Sequence, residues 1–482
     1  MRRFSAALVA LFALACSSPP LAPWSPPADE FVRSDRHHLR DATGRVMVFR
    51  GVNARVEGIF DVTLDPVRCP PPTDVLEDIP ALEAADFARM RAIGFDVLRL
   101  PIQWSAIEPA RGSYDEAYLA RVEDLVALAA SYDVRVLIDF HADAWSKDLG
   151  EDGAPLWATL PPPAPEDLLC GPLESLDTRR TATLDEYAAF FDPNDPAALA
   201  LQDDFGRMAA HVAERFAGEP NVIGYDLFNE PLPSDANIQR FYARILPAIR
   251  AVDARHLAFF EPSALRNLTD MGPRPSGAFP DEGGVYAVHL YTLSFSDPRH
   301  ELDTVTRARL EPNVTRARAE AEAFEVPLFA GEWGVRPDSP GSAPYVGFLY
   351  DLFDEASASS TVWLWKESSQ GGWGFYDYDA ATDAFTERPE VFDAHTRVWA
   401  EVIAGEPTTA HYDREAHALT LSFEGRGDLA PHVIRVPTSF ASFTASCDGA
   451  PIAEATREAT TGRVEAICAG PGTHTLVVTA IP

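Results

Sequence analysis

The sequence predicts an α/β fold, a (β/α)8 barrel followed by a small antiparallel β-sandwich, on three observations. Eight apolar runs recur between residues 46 and 368: VMVFRGVNA, VLRLPIQW, VRVLIDFH, VIGYDLFNE, LAFFEP, VYAVHLYT, PLFAGEWG and TVWLWKES. Most show little apolar/polar alternation, as expected of parallel strands covered on both faces. The segments between them carry helical spacing. In LQDDFGRMAAHVAERFAG, the residues Phe205, Met208, Val212 and Phe216 fall at intervals of three and four and form one apolar face. After residue 404 the pattern changes to alternating runs divided by Gly or Pro: HALTLSFEG, HVIRVPTSF, ASFTASCDG, RVEAICAG and THTLVVTAI. The division expected is a barrel over 31–403 and a sandwich over 404–482, the second packing against the first.

The start of the chain reads as an export signal. MRRFSAALVALFALAC has two arginines, an apolar stretch and a small-residue ending before Cys16. The stretch is too short to span a bilayer. Residues 13–16 resemble a bacterial lipoprotein cleavage box, with Ala13 where leucine is commonest. On that reading residues 1–16 are the signal, Cys16 carries the lipid and joins the chain to a membrane, and the Ser/Pro-rich residues 17–30 form a tether. Plain secretion is the alternative. Four cysteines then remain, an even number for an exported chain: Cys69 and Cys170 in Pro-rich stretches, Cys447 and Cys468 near the C-terminus. Two disulfides are expected, with the pairing open. Free thiols or a metal site are the alternative readings, and no CxxC pair or clustered histidines accompany the cysteines. Asn267-Leu-Thr and Asn313-Val-Thr match a glycosylation pattern that a bacterial lipoprotein would not use. The net charge of −33 argues against a nucleic-acid partner, because no basic excess exists to displace counterions.

Two long segments, 55–80 after the first strand and 144–195 after the third, lie on the barrel face where active sites form, and are expected to wall a cleft. Several strands end in polar residues that a closed core would not tolerate unpaired. The second ends near Arg99, the third at His141 with Asp143 beyond, and the fourth at Asn229 and Glu230. The sixth carries His289 and Tyr291, the seventh Glu332 and Trp333, the eighth Trp363 and Trp365. In a barrel these ends converge. Glu230 and Glu332 stand out, because paired carboxylates across a cleft are the machinery of glycoside hydrolysis. Arg99 is the candidate to hold Glu332 ionised, Tyr291 to hydrogen-bond it, and Trp365 to offer an apolar face to a sugar ring. No metal or cofactor is called for, since the acidic residues lack ligand spacing.

With NEP closing strand four and Glu332 closing strand seven, the chain resembles the retaining β-glycosidases that include glycoside hydrolase family 5. Arg99, His141, Asn229, Glu230, His289, Tyr291, Glu332 and a strand-eight tryptophan match that family's pocket in order. A narrower resemblance lies in DFHADAWSKDLGEDGAPLWAT, residues 139–159. It is similar to the stretch after strand three in endoglycoceramidases, with His141, Asp143, Ser146, Gly153, Ala154, Pro155 and Trp157 in place. Ala142 stands where that group has glutamine. VWAEVIAGEP at 398–407 resembles their junction to a C-terminal sandwich. The resemblance implies Glu230 as acid/base, Glu332 as nucleophile and Asn229 on the sugar 2-hydroxyl. It also implies that His289 tunes Glu230, while His141 and Asp143 hold the sugar beside the scissile bond. The implied substrate is a glycosphingolipid cut between glycan and ceramide, with configuration retained. The alternatives are a β-glucosidase or endo-β-glucanase of the same family acting on steryl, aryl or polymeric glycosides, and a non-catalytic glycan-binding lipoprotein.

Overall fold

The computed structural model describes residues 21–150, 152–168, 170, 181–232, 234–267, 272–273, 277–294, 302–368 and 372–482. Eight parallel strands close into a barrel. In chain order they are β1 (Arg50–Asn53), β2 (Val97–Ile102), β3 (Arg135–Phe140), β4 (Val222–Asp226), β5 (Leu257–Phe260), β6 (Gly284–Leu290), β7 (Leu328–Trp333) and β8 (Ser359–Val362). The outward positions of these strands pack with the surrounding helices into one continuous core.

The inside of the barrel is layered. Val97, Leu137, Phe259 and Ala287 belong to a separate apolar cluster on inward positions, closed at the bottom by Val32, Leu39, Met47 and Phe49. Side chains of a strand alternate with a period of two. Two residues further along the same four strands, the inward positions are therefore Arg99, Asp139, Glu261 and His289. The lower barrel is oil and the upper barrel is charge.

The C-terminal sandwich has a five-stranded and a seven-stranded sheet around its own core. Its boundary differs from the expected one. The seven-stranded sheet takes Arg33–Ser34, Leu39–Arg40 and Val46–Met47 from before the barrel and Trp399–Ile403 from before residue 404. The run VMVFRGVNA is thus two elements, Val46–Met47 in the sandwich and Arg50–Asn53 in the barrel, because the chain passes beneath the barrel between them. The two units are also tied by charge. Arg91 and Arg435 both reach Asp133, at 2.9 and 3.1 Å.

Cys16 and the signal segment lie outside the described residues. The described part of the proposed tether is not free chain. Ala22 exchanges backbone hydrogen bonds with Gly427 and Leu429, at 3.2 and 3.0 Å, and Trp24 packs against the Arg45 guanidinium. Cys447 pairs with Cys468, and Cys69 with Cys170. The second bond joins the segment after β1 to the segment after β3, and the neighbouring Arg68 adds an ion pair to Asp148. Both glycosylation-pattern asparagines are buried and engaged in hydrogen bonds.

Candidate active site

Arg99 is the centre of the upper barrel. It is fully buried, and carboxylates surround it on every side. Its Nη1 donates to Glu332 Oε1 at 2.7 Å and to Asn53 Oδ1 at 3.1 Å. Its Nε donates to Asp226 Oδ2 at 3.0 Å, and its Nη2 to Asn229 Oδ1 and Glu261 Oε1, each at 3.1 Å. Asp139 Oδ1 lies 3.0 Å from Nη2. A planar guanidinium with five donors is the side chain that can serve so many acceptors at once.

Glu332 reaches this centre through an irregularity in pairing. Between β6 and β7, Ala330 faces Val288 but Glu332 faces His289, so Gly331 is the extra residue of a bulge. A side chain at 331 would press on the His289 ring at 3.1 Å, which explains a glycine there. The bulge re-aims the Glu332 carboxylate into the barrel mouth. Tyr291 donates to its Oε2 at 2.8 Å, so Arg99 and Tyr291 between them engage both oxygens. Only 6% of the Glu332 side chain is exposed.

Glu230 is set differently. It leaves β4 with φ 46°, a left-handed conformation costly for a glutamate, and its N–H is received by Glu261 Oε2 at 3.1 Å. Its Oε1 takes Asn267 Nδ2 at 2.8 Å and faces His289 Nδ1 at 2.9 Å. Its side chain is 22% exposed. One oxygen of Glu230 and one of Glu332 lie within 4.8 Å, with a His289 nitrogen at the same range. An oxygen-to-oxygen approach within 4.8 Å suits the closer class of carboxyl pair, about 5–5.5 Å apart, that forms a covalent intermediate, rather than the roughly 6.5–9.5 Å class that leaves room for a water.

Burial by itself would depress His289, but the Glu261 and Glu332 carboxylates outweigh it and hold the imidazolium well above its ordinary range. Burial pushes Glu261 up to about 8 despite His289 beside it. At His141 burial also works downward, and Asp139 at 2.6 Å with Asp152 reverses it, to about 9. Two acidic groups with a histidine have metal-like spacing here, Asp226/Glu261/His289 and Glu230/His289/Glu332. In the first, Arg99 already sits 2.9 Å from Asp226 and 3.1 Å from Glu261, so a further cation would meet a guanidinium. The second shares His289 with the first, and its two carboxylates are engaged by Arg99, Tyr291 and Asn267.

Comparison with known proteins gives this geometry a family. Residues 73–369 match the family model described as cellulase, glycosyl hydrolase family 5. The chain belongs to that family. Among its relatives, endoglycoceramidase I of Rhodococcus hoagii (strain 103S) is 30% identical over 84% of this chain and 79% of its own length. Endoglycoceramidase of Cyanea nozakii is 25% identical over 81% and 80%. The solved structure of endo-glycoceramidase II from Rhodococcus sp., in complex with a cellobiose-like imidazole, superposes with a TM-score of 0.73. It is 25% identical and covers 92% of this chain and all of that one.

The expected residues of this family 5 site are mostly brought together. Arg99, Asn229, Glu230, His289, Tyr291 and Glu332 form one hydrogen-bonded group. Beside them His141 stacks on Trp363 with ring centroids 5.9 Å apart. Asp143 is half-buried; its N–H donates to Asp152 Oδ1 at 3.2 Å and its carbonyl accepts from the Asp152 N–H at 3.1 Å, which closes the loop. Trp365 is a correction. β8 ends at Val362, so the period of two does not carry to residue 365. Its ring is fully buried against Phe375, Tyr376 and Phe392, and its indole donates to Asp86. Trp363, one residue past β8 and stacked on His141, is the tryptophan that lies at the site, with Trp373 set edge-on to Tyr291 at 6.1 Å.

Residues that the strand ends did not reveal are Asn53, Asp139, Asp226, Glu261 and Asn267. Glu261 had a signal, since LAFFEP ends like DLFNEP, in a glutamate and a proline after an apolar run. It touches Arg99, His289 and the backbone of Glu230 at once. The folded protein holds the Glu261 proton to about pH 8, whereas an unfolded glutamate releases it near 4.5. His141 likewise keeps its proton to about 9 against 6.5 unfolded. The folded state thus binds more protons, and stability falls as pH rises from about 4.5 through 9. Glu261→Gln is expected to flatten the lower part of this slope, between pH 4.5 and 8, in thermal melts. A purely packing role for Glu261 would lower the melting point by the same amount at every pH.

Ala142 also has a structural account. Its methyl is buried, and a Cβ at Gly153 would lie only 2.8 Å from it, so both positions require small residues. What faces the site is its carbonyl, which receives Asn229 Nδ2 at 3.1 Å. Ala142→Gln is expected to destabilise by about 1–3 kcal/mol through overpacking, read as a lower denaturation midpoint.

Proposed function

We propose that the protein is a retaining endo-β-glycosidase that cleaves the bond between glycan and ceramide in glycosphingolipids. The observation that carries the chemistry is the Glu230–Glu332 pair, within 4.8 Å and held in two different settings. Glu332, fixed through both oxygens, attacks the anomeric carbon. Glu230, more open and backed by His289, gives its proton to the glycosidic oxygen, and ceramide leaves as the alcohol. Glu230 then takes a proton from water, which breaks the Glu332–sugar ester and restores both carboxyls with configuration retained. Asn229 is anchored by Arg99 and by the Ala142 carbonyl, and its second amide hydrogen remains for the sugar 2-hydroxyl. Trp363 offers the stacking face. The substrate reading is supported by similarity to endoglycoceramidases over most of the chain.

The test is a panel of glycosphingolipids, with mass spectrometry of the products. Release of intact oligosaccharide together with ceramide is expected. Cleavage confined to steryl, aryl or polymeric glucosides would replace this reading by the β-glucosidase one.

We also propose that the chain is exported and lipidated at Cys16. Two disulfides support an oxidising compartment. Metabolic labelling with a fatty acid is expected to mark the wild type and not Cys16→Ala. Equal labelling would exclude the anchor.

A further inference from the structure

A groove of about 1250 Å³ runs along the barrel mouth, walled by the segments after β1, β2 and β8. Its inner end is Phe60, whose ring lies 5.8 Å from His141, and His141 in turn stacks on Trp363. The inner wall of the groove is thus one ring away from His141, on the β8–β1–β2 side of the site. Glu230 stands on β4, across the barrel from β8. With Glu230 protonating the leaving oxygen, as proposed above, the aglycone is expected on the β4 side and the sugar chain to extend away from it, toward the groove. The half-buried Tyr378 and Phe385 line it as apolar surface for sugar rings.

The charge of this groove is one-sided. Among the described residues it is lined by seven carboxylates and three cations. Lys147 is taken by Asp61 at 2.5 Å and Lys366 by Asp86 at 2.6 Å. Arg121 spends Nε and Nη1 on the carbonyls of Gly58 and Ala117. Glu57 and Asp78 are exposed on the groove wall. Carboxylates are good acceptors for the hydroxyls of a neutral sugar. An anionic sugar instead meets like charge, without a free basic pair to receive it.

We infer that this groove selects neutral glycans and discriminates against sialylated or otherwise anionic ones. The inference rests on the glycolipid reading above and narrows its substrate class.

The experiment compares a neutral lactosyl lipid with the same lipid carrying one added sialic acid, both on one short-chain fluorescent ceramide. The bond cut and the aglycone are then identical. The neutral lipid is expected to be favoured about tenfold or more in kcat/KM, the scale of one like-charge contact near a protein surface. The ratio is expected to narrow as salt rises from low ionic strength to 0.5 M, where charges are screened within a few ångströms. It should narrow also in the surface double variant Glu57→Gln/Asp78→Asn. Equal rates, preference for the sialylated lipid, or a ratio indifferent to both salt and variant would overturn the inference while leaving the glycolipid reading in place. Sialylated preference abolished by Arg121→Gln would assign Arg121 to the anion and overturn it as well. Cleavage of neither lipid would overturn the glycolipid reading itself, and the inference with it.

Discussion

Glu332→Gln is expected to lower kcat/KM by about 10⁴-fold or more, the scale on which loss of a covalent nucleophile is felt. The amide keeps the shape of the carboxylate and can still accept from Arg99 Nη1, which lies 2.7 Å from Oε1 in the wild type. What disappears is the electron pair that bonds to the anomeric carbon. Folding should be little affected by comparison, and the melting transition of the variant provides the control. The companion variant Glu230→Gln should behave differently with substrates of different leaving groups. An aryl glycoside with an acidic phenol needs no proton, so its first step should survive in Glu230→Gln and fail in Glu332→Gln. If both variants lose the same factor on both kinds of substrate, the division of roles between the two carboxyls is wrong.

Arg99→Met should be the most damaging change to the fold. The side chain is completely buried, and its removal leaves Asp139, Asp226, Glu261 and Glu332 with only the His141 and His289 rings as nearby cations. Breaking a buried ion pair by deleting one partner costs about 3–5 kcal/mol, and here one guanidinium contacts four carboxyl groups. The sign of the pH dependence follows. Burial already raises Asp226 to about 6 and Glu261 to about 8 with Arg99 present, and both rise further without it. The variant's folded state therefore takes up protons that the unfolded state does not hold, and its deficit relative to wild type shrinks as pH falls from 8 toward 5. Chemical denaturation of both proteins across that range reads the convergence. Parallel curves would mean that packing, not charge, holds the upper barrel.

Much of this site was legible because a barrel turns strand order into geometry. The residues Arg99, Asn229, Glu230, His289, Tyr291 and Glu332 are far apart in the chain, yet each ends or nearly ends an apolar run. Once the runs close in order, their ends meet. What escaped is instructive in the same terms. Asp139 and Glu261 lie two residues beyond Leu137 and Phe259, on the inward parity of β3 and β5. A strand's last residue draws attention, while the period of two also marks the one that faces inside. Trp365 failed for the opposite reason. WLW looks like two tryptophans on one face, but the strand ends before them, and its parity no longer applies. Strands of two residues, such as Leu39–Arg40 and Val46–Met47, are too short to show any period, so the sandwich's use of the N-terminal chain left no pattern to find.

The pairing of Cys69 with Cys170 belongs to the same class. It depends on two long segments meeting above the barrel, which neither segment announces. The Ala142 departure reads differently once Gly153 is seen against it. The small residue is a packing choice, and the contact with Asn229 comes from the backbone.

The mechanism turns on whether Glu332 carries the sugar during turnover. An activated 2-deoxy-2-fluoro β-glycoside slows the breakdown of that ester more than its formation, so the intermediate should accumulate. Digestion and tandem mass spectrometry of the inactivated protein are expected to place one fluorosugar on Glu332, within the stretch LFAGEWG. A label on Glu230 or another residue would contradict the account, as would rapid turnover with no covalent adduct and inverted product.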